Sequence, residues 1–147
     1  MKTTFLFYLL FVLSLSAQVE VTDGNPIDSD STKFTIENSV NQFNIEDTVG
    51  TKVGYQYWFV DKNFLDGRTL KMSVVEPHSA THAPHSHQED EFFFVLEGTA
   101  EFILNGETTT GTAYSSFYCP PYSTHGIRNV GDTDLKYLVI KKYIMDK

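Results

Sequence analysis

The chain has 147 residues, 41% of them hydrophobic and 20% charged, which suits one domain built on one core. Its formal net charge of −8 disfavours nucleic acid and anionic membrane surfaces as partners. A single cysteine, Cys119, excludes an intrachain disulfide framework.

Residues 1–17 read as a signal peptide. Lys2 supplies the positive n-region, and residues 5–15 form an apolar stretch too short to span a bilayer but of the right length for an h-region. The small residues Ser14, Ser16 and Ala17 offer cleavage after Ala17, so the mature protein is expected to begin near Gln18 and to be periplasmic or secreted. An uncleaved anchor is the alternative. Removing residues 1–17 takes away only Lys2, which leaves a net charge of −9. No later segment is apolar enough to cross a membrane, so none is expected to do so once the signal is removed.

Residues 18–50 form an N-terminal arm of mixed polar sequence. Asp23-Gly24-Asn25-Pro26 is a turn signal. Phe34 and Ile36, then Phe43 and Ile45, are period-two apolar pairs that predict short strands. The arm is either loosely held or pairs with the sheet of a second subunit, and a homodimer is expected, made by sheet edges or by the arm.

Residues 51–147 form the main domain, in which strands follow one another. Residues 55–60 are aromatic and β-branched, and Asp66-Gly67 turns the chain into a strand over 69–75. Glu91-Phe92-Phe93-Phe94-Val95-Leu96-Glu97 is an apolar run closed by Gly98, with a strand over 99–104 immediately after. Asn105-Gly106 is the strongest hairpin signal in the chain. Residues 108–112 are a loop or an edge strand. The last strand covers 135–143, with Leu135, Tyr137 and Val139 on one face. No long stretch has 3.6-residue apolar periodicity, so the pattern argues an all-β barrel or sandwich. Cys119, between Phe117-Tyr118 and Pro120-Pro121, reads as a buried, inert thiol rather than an interchain link or a nucleophile.

Four of the five histidines fall in the polar run 77–90. His85 and His87 are two apart, and Glu91 stands four further on. In an extended strand these even steps would share one face, and a turn between His87 and Glu91 would also bring them close. A carboxylate at the mouth of a buried strand needs a partner. With His125 from a separate strand, three imidazoles and one carboxylate suit one divalent first-row ion, such as Zn, Mn, Fe, Ni or Cu, and leave positions open for substrate.

His85-x-His87-x3-Glu91-x6-Gly98 and Pro120-x4-His125-x3-Asn129 resemble the two conserved motifs of the cupin superfamily. Three turn glycines of those motifs are replaced here, by Ser79, Tyr114 (with Gly111 nearby) and Tyr122. The resemblance runs over about residues 70–142. It implies a double-stranded jelly-roll β-barrel and assigns His85, His87, Glu91 and His125 as metal ligands. Around them, Tyr57 and Tyr122 are the candidates for proton transfer, and Phe117, Arg128 and His82 for contact with substrate. Phe93 is a further wall residue, better read as core.

The short single-domain form is similar to cupins that linearise unsaturated uronates after polysaccharide cleavage. It therefore points to a metal-dependent enzyme acting on a small oxygen-rich acid, most plausibly a sugar acid. An oxygen-dependent oxidase or dioxygenase, and a non-catalytic carbohydrate- or metal-binding cupin, are the other readings. Scaffold alone does not choose between them.

Overall fold

A computed structural model describes residues 34–145. The expected signal peptide and the arm up to residue 33 lie outside the described residues. By internal contacts the chain divides between Thr35 and Ile36, and the architecture below belongs to the second unit. Among the described residues no helix is long and apolar enough to cross a membrane.

Nine antiparallel strands follow in order: β1 (Val49–Thr51), β2 (Gly54–Leu65), β3 (Arg68–Val75), β4 (Glu91–Glu97), β5 (Ala100–Leu104), β6 (Glu107–Gly111), β7 (Ser116–Cys119), β8 (His125–Asn129) and β9 (Leu135–Lys142). They form a six-stranded sheet, β1-β2-β3-β9-β4-β7, and a three-stranded sheet, β6-β5-β8. The fold is all-β, as the strand pattern predicts, and a jelly roll, as the family resemblance implies. The segment 108–112 resolves as edge strand β6.

Alternation along each strand sorts its side chains onto two faces. On one face of the large sheet, Val75, Phe93, Val95, Phe117, Leu135, Tyr137 and Val139 meet Ala100, Phe102 and Ile127 of the small sheet in one buried cluster. Phe102 of β5 stacks on Phe117 of β7 at 4.8 Å between ring centroids, which ties the two sheets together. Full burial of a side chain of this size contributes about 1.5–3 kcal/mol, so this interior dominates stability. The opposite face carries a smaller cluster of Tyr57, Met72 and Val74.

The N-terminal apolar pairs do not form strands. A short helix, α1, covers Ile36–Ser39, and a 3₁₀ turn covers Ile45–Asp47. The Asn44 side chain accepts from the Glu46 amide at 3.1 Å and donates to Asp47 at 3.1 Å, so local side-chain bonds close the backbone into a turn. Residues 41–43 dock on the outer face of this chain's own sheet. The Tyr57 hydroxyl lies 2.6 Å from Asn41 Oδ1 and 2.9 Å from the Gln42 carbonyl, with the Phe43 ring edge-on at 5.1 Å.

Two turns with positive φ frame the strands that carry the motifs. Asn105 and Gly106 both have positive φ (50° and 88°), as the tight hairpin demands. This turn also exchanges bonds with Thr124: the Asn105 amide donates to the Thr124 carbonyl at 2.7 Å, and the Thr124 amide to Asn105 Oδ1 at 3.0 Å. At Gly98 (φ 87°) a Cβ would sit 2.6 Å from the Asp134 carbonyl oxygen, so only glycine fits.

Two positions where the motifs carry glycine keep the left-handed backbone here without it. Tyr114 has φ 69° and Tyr122 φ 61°. The left-handed region costs a residue with a Cβ about 1–2 kcal/mol. Tyr122 is 75% exposed, so its ring offers little packing in return. Tyr122→Gly should therefore raise stability by about 0.5–1 kcal/mol, after allowing for the greater freedom of glycine in the unfolded chain. Chemical denaturation would read this, and a loss of stability would show that the ring contributes more than its exposure implies.

Candidate metal centre

His85, His87, Glu91 and His125 converge from a loop and two strands. His85 is joined to His125, the first residue of β8, by reciprocal backbone bonds of 2.9 Å in each direction. His87 follows two residues on, and its carbonyl accepts from the Tyr122 amide at 2.7 Å. Residues 88–89 bend, so the chain turns between His87 and Glu91 and does not run straight. Glu91 then opens β4 with its carboxylate buried.

Each imidazole is held in the same way. Nδ1 of His85 lies 3.2 Å from the Ala83 carbonyl, Nδ1 of His87 2.8 Å from the Glu89 carbonyl, and Nδ1 of His125 2.9 Å from the Ser123 carbonyl. A carbonyl only accepts, so each Nδ1 carries the proton and each neutral ring presents a bare lone pair on Nε2. That is the tautomer which ligates a metal through Nε2.

The fold gives those lone pairs no donor. His87 Nε2 is buried without a hydrogen-bond partner and stands 3.8 Å from Glu91 Oε2. His125 Nε2 lies 3.1 Å from Glu91 Oε1. A lone pair facing a carboxylate oxygen at that distance repels unless a positive charge, proton or metal, sits between them. The nitrogens of the three histidines all lie within 4.8 Å of one another. The donor set therefore fits a divalent cation, with the three imidazoles and Glu91 to hold it.

Glu91, Cys119 and His125 form a second group of the same compactness. Cys119 is the weaker ligand candidate because it is fully buried within the apolar cluster. Burial, and then the Glu91 charge, push its thiol up to about 12. It stays protonated and unreactive at neutral pH. Alkylation of native protein at pH 8 should run more than about 100-fold slower than in denaturant. Equal rates would place the thiol in an open site.

Beside the ligands opens a cavity of about 160 Å³, into which His85, Glu91, His82, Lys71, Lys141 and Tyr143 project. Phe93, Ile127, Tyr137 and Val139 supply its apolar wall. Lys141 Nζ lies 3.6 Å from Glu89 and 4.0 Å from Glu91, and 4.7 Å from the Tyr143 ring centroid. Burial raises the Tyr137 phenol to about 12, although the Ser73 and Thr81 hydroxyls pull it down, so it remains a proton donor. Burial lowers His82, and neighbouring His85 adds to that effect.

Of the residues expected around the metal, His82 and Phe93 line this cavity and four others lie elsewhere. Tyr57 faces the outer surface of the large sheet, where its hydroxyl is engaged by residues 41 and 42. The Tyr122 side chain is exposed. Phe117 packs in the core against Phe102. Arg128 is exposed and pairs with Glu101 at 2.6 Å, three residues past His125 and so of opposite parity. Lys71, Tyr137, Lys141 and Tyr143 line the cavity instead. The alternation at 135, 137 and 139 continues to 141 and 143, and that was the available signal.

A family model described as a cupin domain matches residues 71–141. The jelly roll aligns with the solved cupin 2 conserved barrel domain protein of Salinispora arenicola at 18% identity and a TM-score of 0.60, over 71% of this chain and 87% of that one. The chain is a small protein of the cupin superfamily. A second cupin-like fold match, at 24% identity and a TM-score of 0.56, is a predicted oxalate decarboxylase of Thermotoga maritima, over 60% of this cupin and 78% of that chain. By sequence, this cupin is 34% identical over 56 residues to a 5-nitrosalicylic acid 1,2-dioxygenase of a Bradyrhizobium species. That stretch is 38% of this cupin and spans 27% of the dioxygenase.

Proposed function

We propose that this cupin is an exported, metal-dependent enzyme acting on a small oxygen-rich carboxylic acid. The observation that carries the reading is the buried His87 Nε2, a lone pair without a donor, aimed at Glu91 beside a polar cavity. His85, His87, Glu91 and His125 hold the ion. A bound divalent ion would act as a Lewis acid toward carboxylate and hydroxyl oxygens. The chain itself excludes water with Phe93, Ile127 and Val139, and holds a proton on the Tyr137 phenol within reach of the same space.

The specific form of the reading is ring opening of an unsaturated uronate. Protein purified without a histidine tag should carry about one equivalent of a divalent metal, and should remove the ultraviolet absorbance of the conjugated double bond. A metal-loaded protein inert toward every unsaturated uronate would overturn that form. A second form is favoured by the partial dioxygenase match: oxygen-dependent cleavage of a hydroxylated aromatic acid. Oxygen uptake with salicylates would select it, and saturable binding without turnover would select a ligand-capturing role.

Export rests on the Lys2, 5–15 and Ala17 pattern, and intact mass from the native host tests it. Association of two copies is supported by a row of apolar side chains across the outer face. Tyr118, Phe92, Ile140, Leu70 and Val60 are neighbours in register, and Arg68, Lys142 and Asp90 flank the row with both signs of charge. Such a face is complementary to itself about a two-fold axis. Light scattering at twice the monomer mass is the expected result.

A further inference from the structure

Lys71 places a charge in an otherwise apolar row. The register places it in a row across the inner face of the large sheet: Trp58, Lys71, Val139, Phe93 and Phe117, on β2, β3, β9, β4 and β7. The other four members of the row are apolar or aromatic. Lys71 is part-buried, and it lines the same cavity as His85 and Glu91. Its ammonium lies 5.0 Å from the centroid of the Trp58 ring. Among the described residues no carboxylate lies within ion-pair distance of it, whereas the cavity's other lysine, Lys141, already faces Glu89 and Glu91. Glu91, across the cavity, attracts it from beyond ion-pair distance but also faces Lys141, so the part-buried ammonium has no contact partner and offers its place to an anion from outside.

The lining also limits which anion. No arginine faces the cavity, so there is no planar fork for a phosphate dianion. One compact ammonium matches one singly charged group. The volume of about 160 Å³ admits only a small molecule.

We propose that Lys71 anchors the carboxylate of the bound acid, at the end of the cavity lined by β3, and so directs the remaining oxygens of the ligand toward His85 and Glu91. This inference rests on the reading that the cavity receives a small acid, and it names the residue that distinguishes an acid from its neutral parent.

The test uses the metal-loaded full-length protein and its sole tryptophan, Trp58, which lies against Lys71. Glucuronate and salicylate should each be titrated, with glucose as the neutral counterpart of the first, while Trp58 emission is followed. At least one of the two acids should shift the emission saturably, and glucose should not. Lys71→Met should weaken binding of that acid about 10-fold or more, as expected for loss of a hydrogen bond to a charged group. Lys71→Arg should restore most of it. Both variants should keep the metal content of the native protein, because Lys71 is not a ligand. Lys71→Gln is the substitute if methionine impairs folding.

An acid that binds native protein and Lys71→Met equally would overturn the assignment and leave the small-acid reading standing. Failure of both acids to bind native protein, by fluorescence and by calorimetry, would overturn the small-acid reading as well. Inorganic phosphate binding as tightly as the acid, with the same dependence on Lys71, would overturn the choice of carboxylate.

Discussion

Replacing His87 by alanine is expected to abolish stoichiometric metal while leaving the β fold intact. The His87 ring contributes little to the protein's own bonding. Its Nε2 has no partner, and its Nδ1 bonds only the Glu89 carbonyl two residues on. The ring is therefore held for a ligand, and removing it should weaken metal affinity by more than the ~10–100-fold that follows loss of a mere outer hydrogen-bond partner. Elemental analysis reads the metal and circular dichroism the fold. Metal should raise the melting temperature of native protein by mass action and leave that of the variant unchanged. A folded His87→Ala protein that retained one equivalent would show that the site lies elsewhere. His125→Ala makes the contrast. His125 is fully buried, so its removal also leaves a cavity and should lower stability together with metal content.

The largest effect on stability is expected from Asn129→Asp, a change of almost no volume. The Asn129 amide donates to the Val75 carbonyl at 2.9 Å and to the Thr133 carbonyl at 2.8 Å, and its oxygen accepts from the Gly131 amide at 2.9 Å. The residue is 1% exposed. An aspartate would set a carboxylate oxygen against two carbonyl oxygens in a buried site. Loss of about 3–5 kcal/mol is expected at neutral pH. The sign of the pH dependence follows. The buried carboxyl would have its folded-state pKa raised above the ordinary value of about 3.9, so the destabilisation should grow as pH rises above that value and shrink below it. Urea denaturation at pH 4 and pH 7 would measure this, and a loss independent of pH would mean that the amide bonds, not the charge, set the cost.

Much of the barrel could be read from residue order because its signals are local. Asn105-Gly106, the apolar run into Gly98 and the alternation from Leu135 each report on a few neighbouring residues. The candidate ligand cluster was legible for the same reason: three of its four residues lie within seven positions, and their types are unusual beside an apolar strand. What remained hidden depends on pairing. Tyr57 and Trp58 are adjacent, yet one faces outward and the other shares a row with Lys71, and only the register of β2 against β3 decides which. The N-terminal pairs failed differently. The Phe43 and Ile45 alternation does not hold a strand because Asn44 offers the backbone closer partners, and Ile36 opens a short helix instead.

The reciprocal bonds between His85 and His125 have a kinetic meaning. Two of the candidate ligands belong to one backbone ring, so the pair would not disperse on loss of a bound ion. Opening that ring is a local unfolding event, and its frequency sets how fast the pair can separate. The amide protons of these two histidines, each bonded to the other's carbonyl, would act as paired clocks for it. Deuterium should enter both at one common rate, slower when metal is bound, and that shared rate would set an upper limit on any ion release that requires the two histidines to part.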